Sequence, residues 1–194
     1  MNLDPRRCTL CHDKLEPKPL LQFSASAKIL IIGQAPGRKA HQSGIPFADA
    51  SGQRLRQWLG LSDDQFYDPA LVAIMPMGLC YPGTGRSGDN PPDKRCAPLW
   101  HPRLLPQLQQ LQLTLLLGQY AQRRYLPAFV NTTSAVTDWQ QTLRHKQIAL
   151  PHPSPRNNRW LKQHLWFEQQ LLPVLQQRIA AIVQAQKSPS NGSG

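Results

Sequence analysis

The sequence predicts an α/β protein built on a parallel sheet covered on both faces by helices. Three observations carry this. Apolar runs of strand length alternate along the chain with stretches of helical apolar spacing. The run Ile29 to Ile32 drops directly into Gly33-Gln34-Ala35-Pro36-Gly37. A second run, Ile148 to Leu150, drops into His152-Pro153-Ser154-Pro155 after Pro151. Both read as buried parallel strands whose carboxyl ends carry polar, proline-stiffened loops. Ligands of open α/β sheets bind in the crevice at those ends.

The elements follow in order. Residues 1–27 read as a loop-like leader, and strand 28–33 leads into a long loop, 34–51. A helix is predicted from Gly52 to about Leu59, with Leu55, Trp58 and Leu59 on one face. Residues 71–75 read as the second strand. The stretch 79–98 carries Gly83, Gly85, Gly88, Pro82, Pro91, Pro92 and Pro98 and reads as an irregular surface loop. A helix around 100–111, a strand at 113–117 and a helix from near Gly118 come next. A short helix at 136–143 precedes the fourth strand, 147–150. From Asn158 the chain is helical, interrupted by Pro173, and 187–194 reads as a disordered tail. The length of 194 residues fits one domain, 1–186, with a core of ordinary size.

Lysine and arginine total 22 against 11 acidic residues, a formal charge of +11. Charge of that sign bears on partners rather than fold. Nucleic acid leads, with an anionic membrane surface as runner-up, since no amphipathic basic helix stands out. No apolar run reaches the ~20 residues of a membrane span, and the leader has no apolar core of a secretory signal. A cytoplasmic, monomeric protein is expected.

Four cysteines need a reason. Cys8 and Cys11 form a C-x-x-C pair, while Cys80 and Cys96 stand alone downstream. A disulfide framework does not suit a chain without secretion. A redox C-x-x-C normally opens a helix after a strand, and this pair precedes the first strand. A zinc ribbon would show a second C-x-x-C. Four thiolates also hold iron–sulfur clusters at uneven spacing. The spacing indicates a metal site without choosing the metal.

Residues 8–173 resemble the uracil-DNA glycosylase superfamily. Gly33-Gln34-Ala35-Pro36-Gly37 is similar to its first-strand motif and His152-Pro153-Ser154-Pro155 to its last. Gly44-Ile45-Pro46-Phe47 with Ser51-Gly52, and the four cysteines, resemble the iron–sulfur (family 4) branch. The spelling HPSPRN is closer to the single-strand-selective monofunctional branch. The resemblance implies a three-layer α/β/α sandwich on a four-stranded parallel sheet. It also implies a [4Fe–4S] cluster on Cys8, Cys11, Cys80 and Cys96, with zinc the lesser alternative. The implied reaction is hydrolysis of the N-glycosidic bond of uracil in DNA.

In that role the residues make chemical sense. Excising a base requires flipping it into a pocket that reads its edge. Phe47 supplies a stacking wall, and the Gly33 to Gly37 turn, with the Gln34 side chain, contacts the base carbonyls. His152 donates to the anion that develops on the departing ring. The superfamily's motif acids would stand at Gln34 or Ala35, where this chain has none. Asp49 is therefore expected to orient the water, unless it merely caps the following helix. His41 is a weaker candidate. Pro76 stands where family 4 carries a uracil-reading asparagine, so discrimination would fall to backbone groups, Asn90 or Asn131. Hypoxanthine, xanthine and modified pyrimidines stay open as substrates.

Ser51 and Ser154 are expected on phosphates, Arg156 as the wedge filling the vacated stack, and Asn157 as a brace. Arg86, Lys94 and Arg95 are candidate DNA-backbone contacts. No lysine near the motifs is promoted to a lyase nucleophile. The competing classes are a non-catalytic nucleic-acid-binding or damage-sensing module and, less suited to the charge, a small-molecule nucleobase binder.

Overall fold

A computed structural model describes residues 4–86 and 88–187. The four expected strands are β1 (Ile29–Ile32), β2 (Val72–Ile74), β5 (Leu113–Leu117) and β6 (Gln147–Leu150). They form one parallel sheet in the order β2-β1-β5-β6. Alternate residues of β1 point into two separate cores, which is why every one of its four positions is apolar. Ile29 and Ile31 pack in one core with Leu55, Phe66, Trp139, Phe167 and Leu175. Leu30 and Ile32 pack in the other with Met75, Trp100, Leu104 and Ala121. This is the three-layer arrangement that continuous apolar strands demand.

The helices are α1 (Arg38–Ser43), α2 (Ala50–Leu59), α3 (Asp63–Phe66), α4 (Cys96–Leu104), α5 (Gly118–Tyr125), α6 (Thr132–Thr137), α7 (Trp139–Arg144), α8 (Asn158–Gln163) and α9 (Leu172–Lys187). Several differ from the sequence expectation. The long loop 34–51 contains α1, closed by Gly44 at φ 75. The helix expected at 136–143 is two short helices spanning 132–144. The irregular loop 79–98 contains a two-stranded antiparallel hairpin, β3 (Thr84–Gly85) and β4 (Gly88–Asp89). The helical run expected from Asn158 breaks at His164 and Leu165 rather than at Pro173, which lies at the start of α9 with helical backbone on both sides. A π-helical turn, Phe167–Leu171, precedes it. Of the tail expected at 187–194, all beyond Lys187 lies outside the described residues.

The leader is irregular but anchored. Gln22 exchanges backbone hydrogen bonds with Ile74, at 2.9 and 2.8 Å, covering the open edge of β2. Its side chain donates to Phe66 O and Val72 O. Among the described residues no helix is long and apolar enough to cross a membrane.

Candidate active site

Leaving β1 for β2 and then β5, the chain reverses direction across the sheet. A cavity of about 530 Å³ opens at the carboxyl ends of the strands there, within the usual range for small-ligand sites. The two distant motifs meet in it. Its lining includes Gly33, Gln34, Ala35, Pro36, Gly37, Phe47, Asp49 and Ser51 on one side and His152, Ser154, Arg156 and Asn157 on the other. Pro76, Asp89 and Gln119 also line it.

The turn after β1 is rigid because its acceptors are taken. Gly33 O accepts from Met77 N–H and Gln34 O from Gly78 N–H, each at 2.9 Å. The Gln34 side-chain amide donates to Asn90 O at 3.2 Å. The backbone amides of Gln34 and Ala35 make no hydrogen bond among the described residues. The turn therefore presents donors to a ligand.

Phe47 adopts a left-handed backbone, φ 56, rare for a residue with a side chain. Its carbonyl is held by Tyr67 Oη at 3.4 Å and by Arg56 at 3.5 Å, and Tyr67 also donates to Pro46 O. Edge-to-face contact with Phe66, centroids 6.1 Å apart, fixes the ring. The ring lies against Gly33, where an added Cβ would be 3.6 Å from Cζ.

His152 sits in the loop after β6. The Ser154 backbone N–H donates to its Nδ1 at 3.2 Å, and Asn157 Nδ2 donates to its carbonyl at 2.7 Å. Nδ1 is thus an acceptor, and a neutral ring carries its hydrogen on Nε2. Burial pushes the imidazole pKa below its ordinary value, against the opposing pull of the Asp49 and Asp89 carboxylates.

Asp49 turns its two carboxylate oxygens to different surroundings. Oδ1 accepts the Gly52 N–H at 2.9 Å and caps α2. Oδ2 faces the cavity beside Gly37. Ser154 caps the 3₁₀ turn Pro155–Asn157 through its hydroxyl, which leaves its donor hydrogen available. Arg156 lies across the hairpin. A Cβ on Gly88 would overlap its guanidinium, and Gly88 has φ 129.

Other expected residues lie elsewhere. Asn131 caps α6 by accepting from Ser134 N–H, and Asn90 donates to Pro82 O. Neither lines the cavity, so both are withdrawn as base readers. His41 faces Glu16 at 3.2 Å and ties α1 to the leader. Arg95 is committed to Asp13 and Asp93, both at 2.9 Å, and is withdrawn as a DNA contact. Two residues that shape the site, one behind its wall and one in it, were missed by the sequence reading. Arg54 clamps α2 to the last motif through Pro153 O, Ser154 O and Asn158 Oδ1. Asp89 arrives on the hairpin. Neither carries a local signal, since the contacts that place each of them are remote in the chain.

Behind Pro76, the buried His101 bonds Pro76 O at 3.1 Å and the Tyr125 hydroxyl with its other nitrogen. Its pKa, like that of His152, is lowered chiefly by burial. Between the depressed folded values and the ordinary 6.5, the unfolded chain binds more protons than the native one. Stability is therefore full above about pH 6.5 and declines as pH falls through that window. Thermal melting at pH 7.5 and 5.5 checks this. The acid-side loss is expected to shrink in His101→Gln, and an equal loss in the variant would sink the assignment.

The four cysteines line one small cavity between the leader, residues 78–80 and the start of α4. Leu79 N–H donates to Cys96 Sγ and the Trp100 indole to Cys8 Sγ, both at 3.3 Å. Such N–H···S contacts suit thiolate ligands. Burial pushes the Cys11 thiol up to about 11 and the Cys96 thiol up to about 12. Asp93, paired with Lys14 and Arg95, fastens the C-x-x-C leader to α4. Among the described residues no three His, Cys, Asp or Glu side chains converge closely enough to hold a single metal ion.

Fold and site together define an α/β protein that binds its ligand across the carboxyl ends of a four-stranded parallel sheet, between two proline-stiffened loops. The family model of the uracil DNA glycosylase superfamily matches residues 21–176, and the chain belongs to that superfamily. The reaction class of that superfamily is glycosidic hydrolysis in DNA repair, and its partner class is DNA.

Proposed function

We propose that the protein is a monofunctional glycosylase that removes uracil or a related deaminated base from DNA and so initiates base excision. The observation that carries this reading is His152 in the cavity lining, its Nδ1 taken by the Ser154 N–H so that a neutral ring keeps its hydrogen on Nε2, with Phe47 and the open amides of Gln34 and Ala35 lining the same cavity. As the C1′–N bond breaks, negative charge grows on the base. A donor already aimed there lowers the barrier without reorganisation. Phe47 stacks on the flipped ring, and the amides read its carbonyls. Ser51 and Ser154 bind the flanking phosphates, with Arg156 entering the vacated stack and Asn157 bracing its loop. Among the described residues the cavity lining carries no lysine, which supports a monofunctional reaction, because a lyase needs a positioned amine.

The test is incubation with single- and double-stranded oligonucleotides carrying uracil, hypoxanthine or xanthine, followed by scoring of alkali-labile abasic sites. Release of one of these bases supports the reading. Tight binding with no release supports a damage-sensing module instead. That second reading is favoured by one observation, the amide and methyl groups of Gln34 and Ala35 where the superfamily's motif acids would stand.

Cys8, Cys11, Cys80 and Cys96 would hold a [4Fe–4S] cluster. All four thiols line one cavity, and four cysteines at uneven spacing, without the second C-x-x-C of a zinc ribbon, suit a cluster better than zinc. Held by these four residues, a cluster would pin the leader to α4, and hydrolysis would need no electron from it. The purified protein is expected to contain iron and acid-labile sulfide, with visible absorption lost in Cys8→Ser. Stoichiometric zinc without iron would overturn this.

A further inference from the structure

We propose that Asp89 is a second catalytic carboxylate, acting with Asp49 to hold and deprotonate the attacking water. The inference rests on the glycosylase reading above and names the group that replaces the absent motif acids.

Asp89 lies in a glycine- and proline-rich stretch, where an acidic residue ordinarily faces solvent. Here the stretch is a hairpin, pairing Thr84 with Asp89 and Gly85 with Gly88. Two anchors fix it over the cavity, one from each motif loop. Gln34 Nε2 donates to Asn90 O, next to Asp89. The Arg156 guanidinium lies against Gly88, on its other side. A glutamate at position 34 would have no hydrogen to give Asn90 O and would repel Asp89. The same substitution that removes an acid from the first motif thus secures another acid above it.

The two carboxylates look onto one place. A Cβ built on Gly37 would lie 3.6 Å from Asp89 Oδ2 and 3.8 Å from Asp49 Oδ2. Asp49 spends Oδ1 on the α2 cap, so Oδ2 is its available acceptor. The Asp89 side chain makes no hydrogen bond or ion pair among the described residues. Both charges also act on His152 across the cavity. A water beside Gly37 therefore has acceptors on two sides, facing the imidazole that receives the departing base.

The step balances. The C1′–N bond breaks with its electron pair leaving on the base, whose anion accepts the His152 hydrogen bond and later takes a proton from solvent. The water oxygen bonds to C1′, and its proton passes to one of the two carboxylates. Their charge also stabilises the oxocarbenium-like sugar. General-base assistance contributes about 10²–10⁴-fold in total, and two groups share it here.

Single-turnover base release and DNA affinity should be measured for the wild type, Asp89→Asn, Asp49→Asn and Gly37→Ala. Asp89→Asn is expected to slow release about 10–10²-fold with unchanged or tighter DNA binding, since a negative charge is removed. Gly37→Ala adds a methyl at ordinary contact distance, with a backbone any residue adopts (φ −78, ψ 172). It should fold and bind DNA, yet lose rate because the methyl takes the place of the water. Wild-type release by Asp89→Asn overturns the inference while leaving the glycosylase reading intact. Loss of DNA binding in step with rate also overturns it, marking Asp89 as a support for the hairpin. A wild-type protein that releases none of the deaminated bases overturns the reading beneath it, and the inference with it.

Discussion

Replacing His152 by alanine is expected to slow base release by ~10²–10³-fold, the usual loss for one pre-aimed donor to a developing anion. The fold should survive. The ring lines a cavity rather than a core, and the loop that carries it is held by Asn157, by Arg54 and by the prolines on either side. His152→Gln, which restores an N–H of similar reach, should recover part of the rate. The pH profile gives a sign that a merely structural histidine would not. Because burial favours the neutral ring, release should hold steady through neutrality and fall only below the ordinary histidine range. Protonation there puts a hydrogen on Nδ1, facing the Ser154 N–H that now donates to it, so two donors oppose and the loop loses its geometry. Wild-type release by His152→Ala would remove the central donor from the mechanism.

Legibility in the sequence followed distance along the chain. The sheet was readable because each strand is a short apolar run with both faces buried, a pattern that needs no partner to recognise. The two motif loops were readable because proline and glycine fix them locally. What was not readable depends on remote contacts. Residues 79–98 look like solvent-facing loop by composition, and only the bonds from Gln34 and the packing of Arg156 make them a cavity wall. Asn131 and Arg95 offered suitable chemistry by residue type, yet one is consumed by a helix cap and the other by two carboxylates. Asp49 was posed as either cap or catalyst because the sequence does not show that a carboxylate's two oxygens can face different ways. The cysteine set was visible by spacing, whereas the ion pairs that bring the leader to α4 were not.

The second large effect is expected at a residue that touches no ligand. Gly52→Ala should destabilise the protein and empty the pocket of its aromatic wall together. Gly52 is buried in the first turn of α2, and a Cβ there would lie 1.8 Å from Phe47 O, 2.6 Å from its carbonyl carbon and 2.7 Å from its Cβ. These are backbone and near-backbone atoms with nowhere to rotate. Segment 46–49 must move as a unit, against the bonds from Tyr67 and Arg56 that hold it. That segment already carries the left-handed Phe47, a conformation costing about 1–2 kcal/mol that its surroundings sustain. Overpacking of this kind costs about 1–3 kcal/mol, and at about 2–4 °C per kcal/mol for a chain of this size the melting temperature should drop by roughly 2–12 °C. Displacing Phe47 also parts its ring from Gly33 and takes the Asp49 cap with it, so affinity for uracil-containing DNA and release rate should fall together. Gly33→Ala is the contrast, because its added methyl meets the same ring at an ordinary 3.6 Å and should leave the melting temperature nearly unchanged. A Gly52→Ala protein that melts with the wild type would mean that segment 46–49 yields freely, and that Phe47 is not held where a flipped base could stack on it.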